Sequence, residues 1–170
     1  KRAMKECGLI IINNFFGDKN ELHLTLTCEN AVKDYDEMHK RCIFVVNQKN
    51  EKIATSTAYF TNEKVGKVHW VAVKREEQGK GISKPLINQT LSLLKNLGYE
   101  NTLLHTQTHT WLAVKIYLDL EFKPYQLEDR MEGWQIIKTL TNHPTLQHIS
   151  SLETIYDDLF LSIDNFIQNK

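Results

Sequence analysis

From Cys42 onward the apolar residues come in short alternating or continuous runs separated by polar turns. Cys42 to Asn47 and Ile53 to Phe60 flank the turn-like Asn47-Gln48-Lys49-Asn50, a pattern that predicts a hairpin. Thr61-Asn62-Glu63-Lys64 marks a second turn, and Val65 to Val73 supplies a third antiparallel strand. The period then changes. Leu86, Ile87, Leu91, Leu94 and Leu97 recur at helical spacing, with Lys84, Asn88, Gln89, Ser92, Lys95 and Asn96 on the other face, which predicts an amphipathic helix packed on the sheet. Pro85 sits in its first turn, and Gly98 lies just past the last apolar residue, where a left-handed cap is expected.

Beyond Gly98 the pattern predicts a strand at Thr102 to Thr108, a helix from about Trp111 to Leu120, and an apolar strand around Phe122 to Leu127. A last strand is expected at Trp134 to Leu140, stopped by His143-Pro144. Ahead of Cys42, Gly8 to Asn13 is a short β-rich run. Asp18 to Arg41 is polar, with helical patches around Ala31 to Met38 and too few apolar residues to place an element. At the other end Ser150-x-x-Glu153 forms a capping box before Leu152, Ile155, Tyr156, Leu159, Phe160, Ile163, Phe166 and Ile167, an amphipathic helix over about 150–168. Its acidic face (Glu153, Asp157, Asp158 and Asp164, against Lys170) disfavours anionic membranes. Docking on its own domain is the plain use of this helix; a homodimer contact or a lid is the sharper alternative. Three antiparallel strands followed by alternating helices and strands predict an α/β (α+β) fold, with a mixed, largely antiparallel central sheet flanked by helices. Without a linker or repeat, residues 1–170 read as one domain, its core at about 41–140.

The balance of 21 basic and 21 acidic residues gives no net field toward nucleic acid or a membrane. No apolar run approaches the ~20 residues of a membrane span, and the start lacks a secretory h-region, so the chain is expected in the cytoplasm. Cys7, Cys28 and Cys42 are widely spaced, with no CxxC and no Cys/His pair at zinc spacing, so no metal site is expected and reduced thiols are the plain reading.

The chemistry concentrates at Val68 to Ser83, where an apolar strand runs through a charged turn into Gln78-Gly79-Lys80-Gly81-Ile82-Ser83 and then a helix. Two glycines bring the main chain close to a ligand, and the N–H groups at a helix start present positive charge to an anion such as pyrophosphate. A P-loop is rejected, because Gly81 is followed by Ile82 and Ser83. A dinucleotide fingerprint is rejected, because Lys84 stands where its third Gly belongs.

Gln78-x-x-Gly81-x-Ser83 resembles the [Q/R]xxGx[G/A] acetyl-CoA loop of the GNAT N-acetyltransferase superfamily. Thr110 to Pro124, with Ala113, Tyr117 and Phe122, resembles its second signature, NxxAxxxYxxxGF. The resemblance covers roughly residues 41 to 126. It departs at Ser83 (for Gly/Ala), Thr110 (for Asn) and Glu121 (for Gly). Ser83 can cap with its hydroxyl and add a phosphate donor, the contact of the family's Asn is in doubt at Thr110, and Glu121 predicts strain or a reshaped turn.

The resemblance implies a GNAT-like fold and transfer of an acetyl group from acetyl-CoA directly to a primary amine of a small molecule or peptide. It implies that Gln78, Gly79, Lys80, Gly81, Ile82, Ser83 and Thr110 bind the cofactor. The main chain of Val71, Ala72 and Val73 would pair with the pantetheine arm, and an N–H near Val71 would face the thioester carbonyl. Tyr117 would touch the CoA sulfur and protonate it. For the base, His69 is first choice, on the strand face expected to carry Val71 and Val73; His105 and Glu63 are alternatives. Lys74 and Arg75 add charge around the loop. Trp70, Trp111 and Trp134 are more simply core residues than acceptor-pocket residues, and no role is assigned to them. A longer acyl donor, or a non-catalytic acyl-CoA-binding module, is the rival reading.

Overall fold

A computed structural model describes residues 6–12, 39–60, 64–125 and 127–151. Glu63, the helical patches of Ala31 to Met38 and the C-terminal helix lie outside the described residues.

The strands are β1 (Glu6–Ile12), β2 (Cys42–Val46), β3 (Lys52–Phe60), β4 (Val65–Val73), β5 (Asn101–Gln107) and β6 (Lys123–Pro124). The helices are α1 (Ser83–Asn96), α2 (Trp111–Asp119) and α3 (Met131–Thr141). One sheet in the order β2-β3-β4-β5-β1-β6 results, as expected a mixed one. It is antiparallel across β2, β3 and β4 and parallel across the β4–β5, β5–β1 and β1–β6 pairs.

The hairpin forms where the pattern placed it. Asn47 Oδ1 accepts hydrogen bonds from the main-chain N–H of Lys49 at 2.9 Å and of Glu51 at 3.0 Å, and Asn50 turns the corner at φ 61°. Helix α1 also ends as expected: Gly98 is left-handed, its N–H donates to Lys95 O and that of Tyr99 to Leu94 O, the paired bonds of a Schellman cap.

Two expectations fail. Trp134 to Leu140 is not a strand but the body of α3. Gly133, Trp134, Ile136 and Ile137 are its buried residues, a 3–4 spacing around adjacent isoleucines that fits a helix stripe. Asn142 caps it in the left-handed region before His143-Pro144, so the stop is where the sequence put it. The strand around Phe122 to Leu127 shrinks to Lys123–Pro124, because Pro124 brings no N–H to a ladder.

The core joins one face of the sheet to all three helices. Ala58, Val68 and Leu104 meet Ile87 and Leu94 of α1, Val114 and Leu118 of α2, and Trp134 and Ile137 of α3. Each buried Val, Leu or Ile among them contributes roughly 1.5–3 kcal/mol. A buried contact marks the same face of β3: Thr90 Oγ1 of α1 donates to Ser56 Oγ at 2.9 Å. Among the described residues no helix is long and apolar enough to cross a membrane.

Candidate active site

The sheet opens beside the glycine loop. β4 pairs with β5 only from Val65↔Asn101 to Val68↔Leu104, whereas β5 continues along β1 to Gln107. From His69 onward the edge of β4 that would meet β5 is unpaired. On the other side the β3–β4 register jumps from Thr55↔Ala72 to Thr57↔His69. Ser56 therefore opposes both Trp70 and Val71, a bulge with Trp70 at φ 48°.

The extra residue resets which way the side chains point. Val68 and, past the bulge, Val71 pack on the core, while His69 and Trp70 both lie on the opposite face with rings stacked 4.5 Å apart. His69 thus does not share a face with Val71 and Val73, contrary to simple alternation. Lys74 N–H donates to Ile53 O at 2.8 Å, so by antiparallel alternation Ala72 also turns its main chain to β3. Val71 and Val73 turn theirs toward the opening, where Val73 O accepts from Gln78 Nε2 at 3.2 Å.

A single 3-10 turn, Arg75–Glu77, leads into the loop. Gly79 at φ 76° and Gly81 at φ 78° both occupy the left-handed region, and nothing lies within 4 Å of where a Cβ would stand. Glycine is needed there for backbone conformation, and the loop surface is open. The cap of α1 is Ile82, with no side-chain cap bond; Ser83 is the first helical residue and not the cap. The first helical bond runs from Leu86 N–H to Ile82 O, so the N–H groups of Ser83 and Lys84 have no partner within the helix, the arrangement that suits an anion. Lys80 pairs with Glu77 at 2.9 Å on the surface, and this exposed contact is weak enough to yield to a phosphate.

A charged junction that periodicity did not signal ties this helix start to α2. Asp119, at the end of α2, meets Lys84 at 2.9 Å, Lys115 at 3.5 Å and His143 at 3.2 Å. The Lys84 contact, with help from His143 and Lys115, holds the Asp119 carboxyl below the usual range. His143 Nδ1 accepts from Thr145 N–H at 3.2 Å, which leaves Nε2–H to donate to Asp119.

Tyr117 lies two residues before this junction, buried, with its ring 6.0 Å from that of Phe122. Desolvation pushes its phenol up to about 12. Thr110 caps nothing; its hydroxyl donates to Gln107 O at 2.8 Å and contacts Thr106 Oγ1 at 2.8 Å. Glu121 has φ 67°, the positive value expected at its turn, and Phe122 N–H closes on Tyr117 O at 3.1 Å.

His69 and His105 are the residues that follow the last β4–β5 pair on each strand, so the two imidazoles stand at the mouth of the opening, on the face away from the core. Burial first, and then the positive charge of Lys67, lowers both to about 4; His105 adds to the effect on His69, and Arg130 to that on His105. Both rings are uncharged at neutral pH. His109 lies in the single turn Thr108–Thr110, apart from His105 on its strand. Among the described residues no cluster of three or more His, Cys, Asp or Glu could hold a metal ion.

The sequence pattern of the Acetyltransferase (GNAT) family matches residues 11–122, which takes in the opened strand, the glycine loop and Tyr117. The chain belongs to the GNAT acetyltransferase family. Acyl transfer is therefore its class of chemistry. A solved structure described as "Putative acetyl transferase from Pyrococcus furiosus" is similar in fold, with TM-score 0.51 and 18% identity over 67% of this chain and 79% of that one. Glucosamine-6-phosphate N-acetyltransferase from Arabidopsis thaliana aligns over 60% of this chain and 71% of that one, at TM-score 0.38 and 11% identity.

Proposed function

We propose that this GNAT protein moves an acetyl group from acetyl-CoA to a primary amine of a small molecule or peptide in one direct step. The observation that carries this reading is the juxtaposition of an unpaired β4 edge at Val71 and Val73 with the left-handed glycine loop and unpartnered N–H groups at the start of α1. The edge suits the amide groups of a pantetheine arm, and the loop suits its pyrophosphate. Gln78 to Ser83 form the cradle, with Gln78 bracing the turn through Val73 O. Ala72, turned to β3, holds the strand, and Thr110 holds the turn into α2. Bound acetyl-CoA supplies the activated thioester, and the Val71 N–H is the group oriented to meet its carbonyl oxygen.

The two titrating groups constrain the proton path. A phenol near 12 is roughly three to four powers of ten less acidic than a thiol, an uphill transfer of about 5 kcal/mol, so Tyr117 supports the leaving sulfur by donating a hydrogen bond and yields its proton only in concert. A His69 imidazole near 4 is roughly six powers of ten less basic than an alkylamine, too weak to strip an ammonium. It accepts a proton once carbon–nitrogen bond formation has made the nitrogen acidic. The amine must therefore arrive neutral.

Calorimetric titration of acetyl-CoA into the protein and into Gly81→Asp tests the reading. Micromolar binding is expected, weakened at least about tenfold in the variant by a carboxylate facing the pyrophosphate. Absence of binding to the unmodified chain would sink it.

A further inference from the structure

Trp70 is a large aromatic residue in a backbone conformation that such residues rarely adopt, and it is one-third exposed (36%) at the mouth of the opened sheet. Strain of this kind persists where the surroundings over-determine it, and it gathers at ligand clamps. Here the surroundings are specific. One face of the Trp70 ring stacks on His69 at 4.5 Å and 24°, and Tyr59 meets it edge-on at 5.8 Å and 67°. Tyr59 also contacts His69 at 5.4 Å and stacks on Phe60 at 4.7 Å. The bulge thus places two consecutive side chains, His69 and Trp70, on the same outward face beside the Val71 main chain.

We infer that Trp70, braced by His69 and Tyr59, is the acceptor platform, and that the preferred acceptor is a primary amine carried on a flat aromatic group that lies against the indole. This rests on the acetyl-transfer reading above. Geometry favours a flat guest, because the indole offers a rigid π-face whose orientation is fixed by two ring contacts. Charge points the same way. A cationic head could also sit on an indole, but the positive charges of Lys67 and Arg130 bear on the same mouth and oppose a second cation. A diamine is therefore a poor acceptor and an arylalkylamine a good one.

The test compares kcat/KM for 2-phenylethylamine, 2-cyclohexylethylamine and 1,4-diaminobutane, in the unmodified chain, in Trp70→Phe and in Trp70→Leu. Calorimetric CoA binding reports on the cradle in each. Expected are a three- to tenfold preference, in order of magnitude, for the aryl over the cyclohexyl amine, carried in KM, with the diamine poorest. The preference should persist in Trp70→Phe and fall to near unity in Trp70→Leu while CoA still binds. A chain that binds CoA but treats the two ring amines alike, or acetylates neither, overturns the platform and leaves CoA recognition standing. Loss of CoA binding in both variants overturns it too, since Trp70 would then be holding the bulge and not the acceptor. No CoA binding by the unmodified chain overturns the acetyl-transfer reading itself.

Discussion

The two imidazoles at the mouth of the sheet make stability depend on pH in a definite direction. His69 and His105 both titrate near 6.5 in an unfolded chain and near 4 in the folded one. Between those values the unfolded state binds more protons, so stability rises with pH across that window; it is fully present above about 6.5 and is lost as pH falls toward 4. Each tenfold change in proton affinity corresponds to about 1.4 kcal/mol, so the fall from 6.5 to about 4 sets a ceiling of ~3.4 kcal/mol for each ring. Both rings are partly in solvent, and screening brings the figure nearer ~1 kcal/mol each, or about 2 kcal/mol for the pair. The assay is urea unfolding of the unmodified chain and of the His69→Gln/His105→Gln double variant at several pH values from about 7.5 to about 4.5. The unmodified chain should lose about 2 kcal/mol more than the variant over that range, and histidine NMR titration should find both rings titrating below about 6.5. Parallel pH profiles for the two proteins, or imidazoles titrating near 6.5, would refute the reasoning.

Other consequences follow from packing and charge. A methyl group added at Gly66 would lie 2.5 Å from Leu94 Cδ2 and 3.1 Å from the Tyr99 ring. Gly66→Ala should therefore destabilise by about 1–3 kcal/mol, with part of the loss recovered in the Gly66→Ala/Leu94→Ala pair, as a double-mutant cycle in urea would show. Asp119→Asn removes contacts to Lys84 and Lys115 but keeps an oxygen for His143. A loss of about 1 kcal/mol is expected; because the carboxyl is depressed, the difference from the unmodified chain should vanish as acid protonates it. Glu121→Gly relieves a left-handed conformation and should raise the thermal midpoint, by up to about 1 kcal/mol at the transition; a lower midpoint would mean that the Glu side chain holds the turn.

Much of the architecture was legible because burial on one face writes itself into spacing. The strands from Cys42 to Val73, the helix α1 with its Pro85 and Gly98 ends, and the helix bearing Tyr117 follow from period and punctuation alone. Trp134 to Leu140 failed for the same physical reason. Its apolar residues, Trp134, Ile136, Ile137 and Leu140, fit a buried strand as well as a helix, and only packing against α2 and β1 decides between them. The Asp119 junction was out of reach, since Lys84, Asp119 and His143 are distant in sequence and nothing in their local pattern says that they meet.

The bulge at Trp70 shows most clearly where sequence reading stops. Alternation assigns His69, Val71 and Val73 to one face, and a single residue opposite Ser56 reverses that assignment for everything after it. The insertion keeps Val68, Val71 and Val73 directed at the core side while freeing an outward pair, His69 and Trp70, and it coincides with the point where β4 leaves β5. No propensity argues for this, because Trp is among the residues least suited to a positive φ. The conformation is tolerated because ring contacts to His69 and Tyr59 offset the strain. A change at Trp70 should move acceptor recognition and leave CoA binding in place, whereas a change in the Gln78–Ser83 cradle should move cofactor affinity.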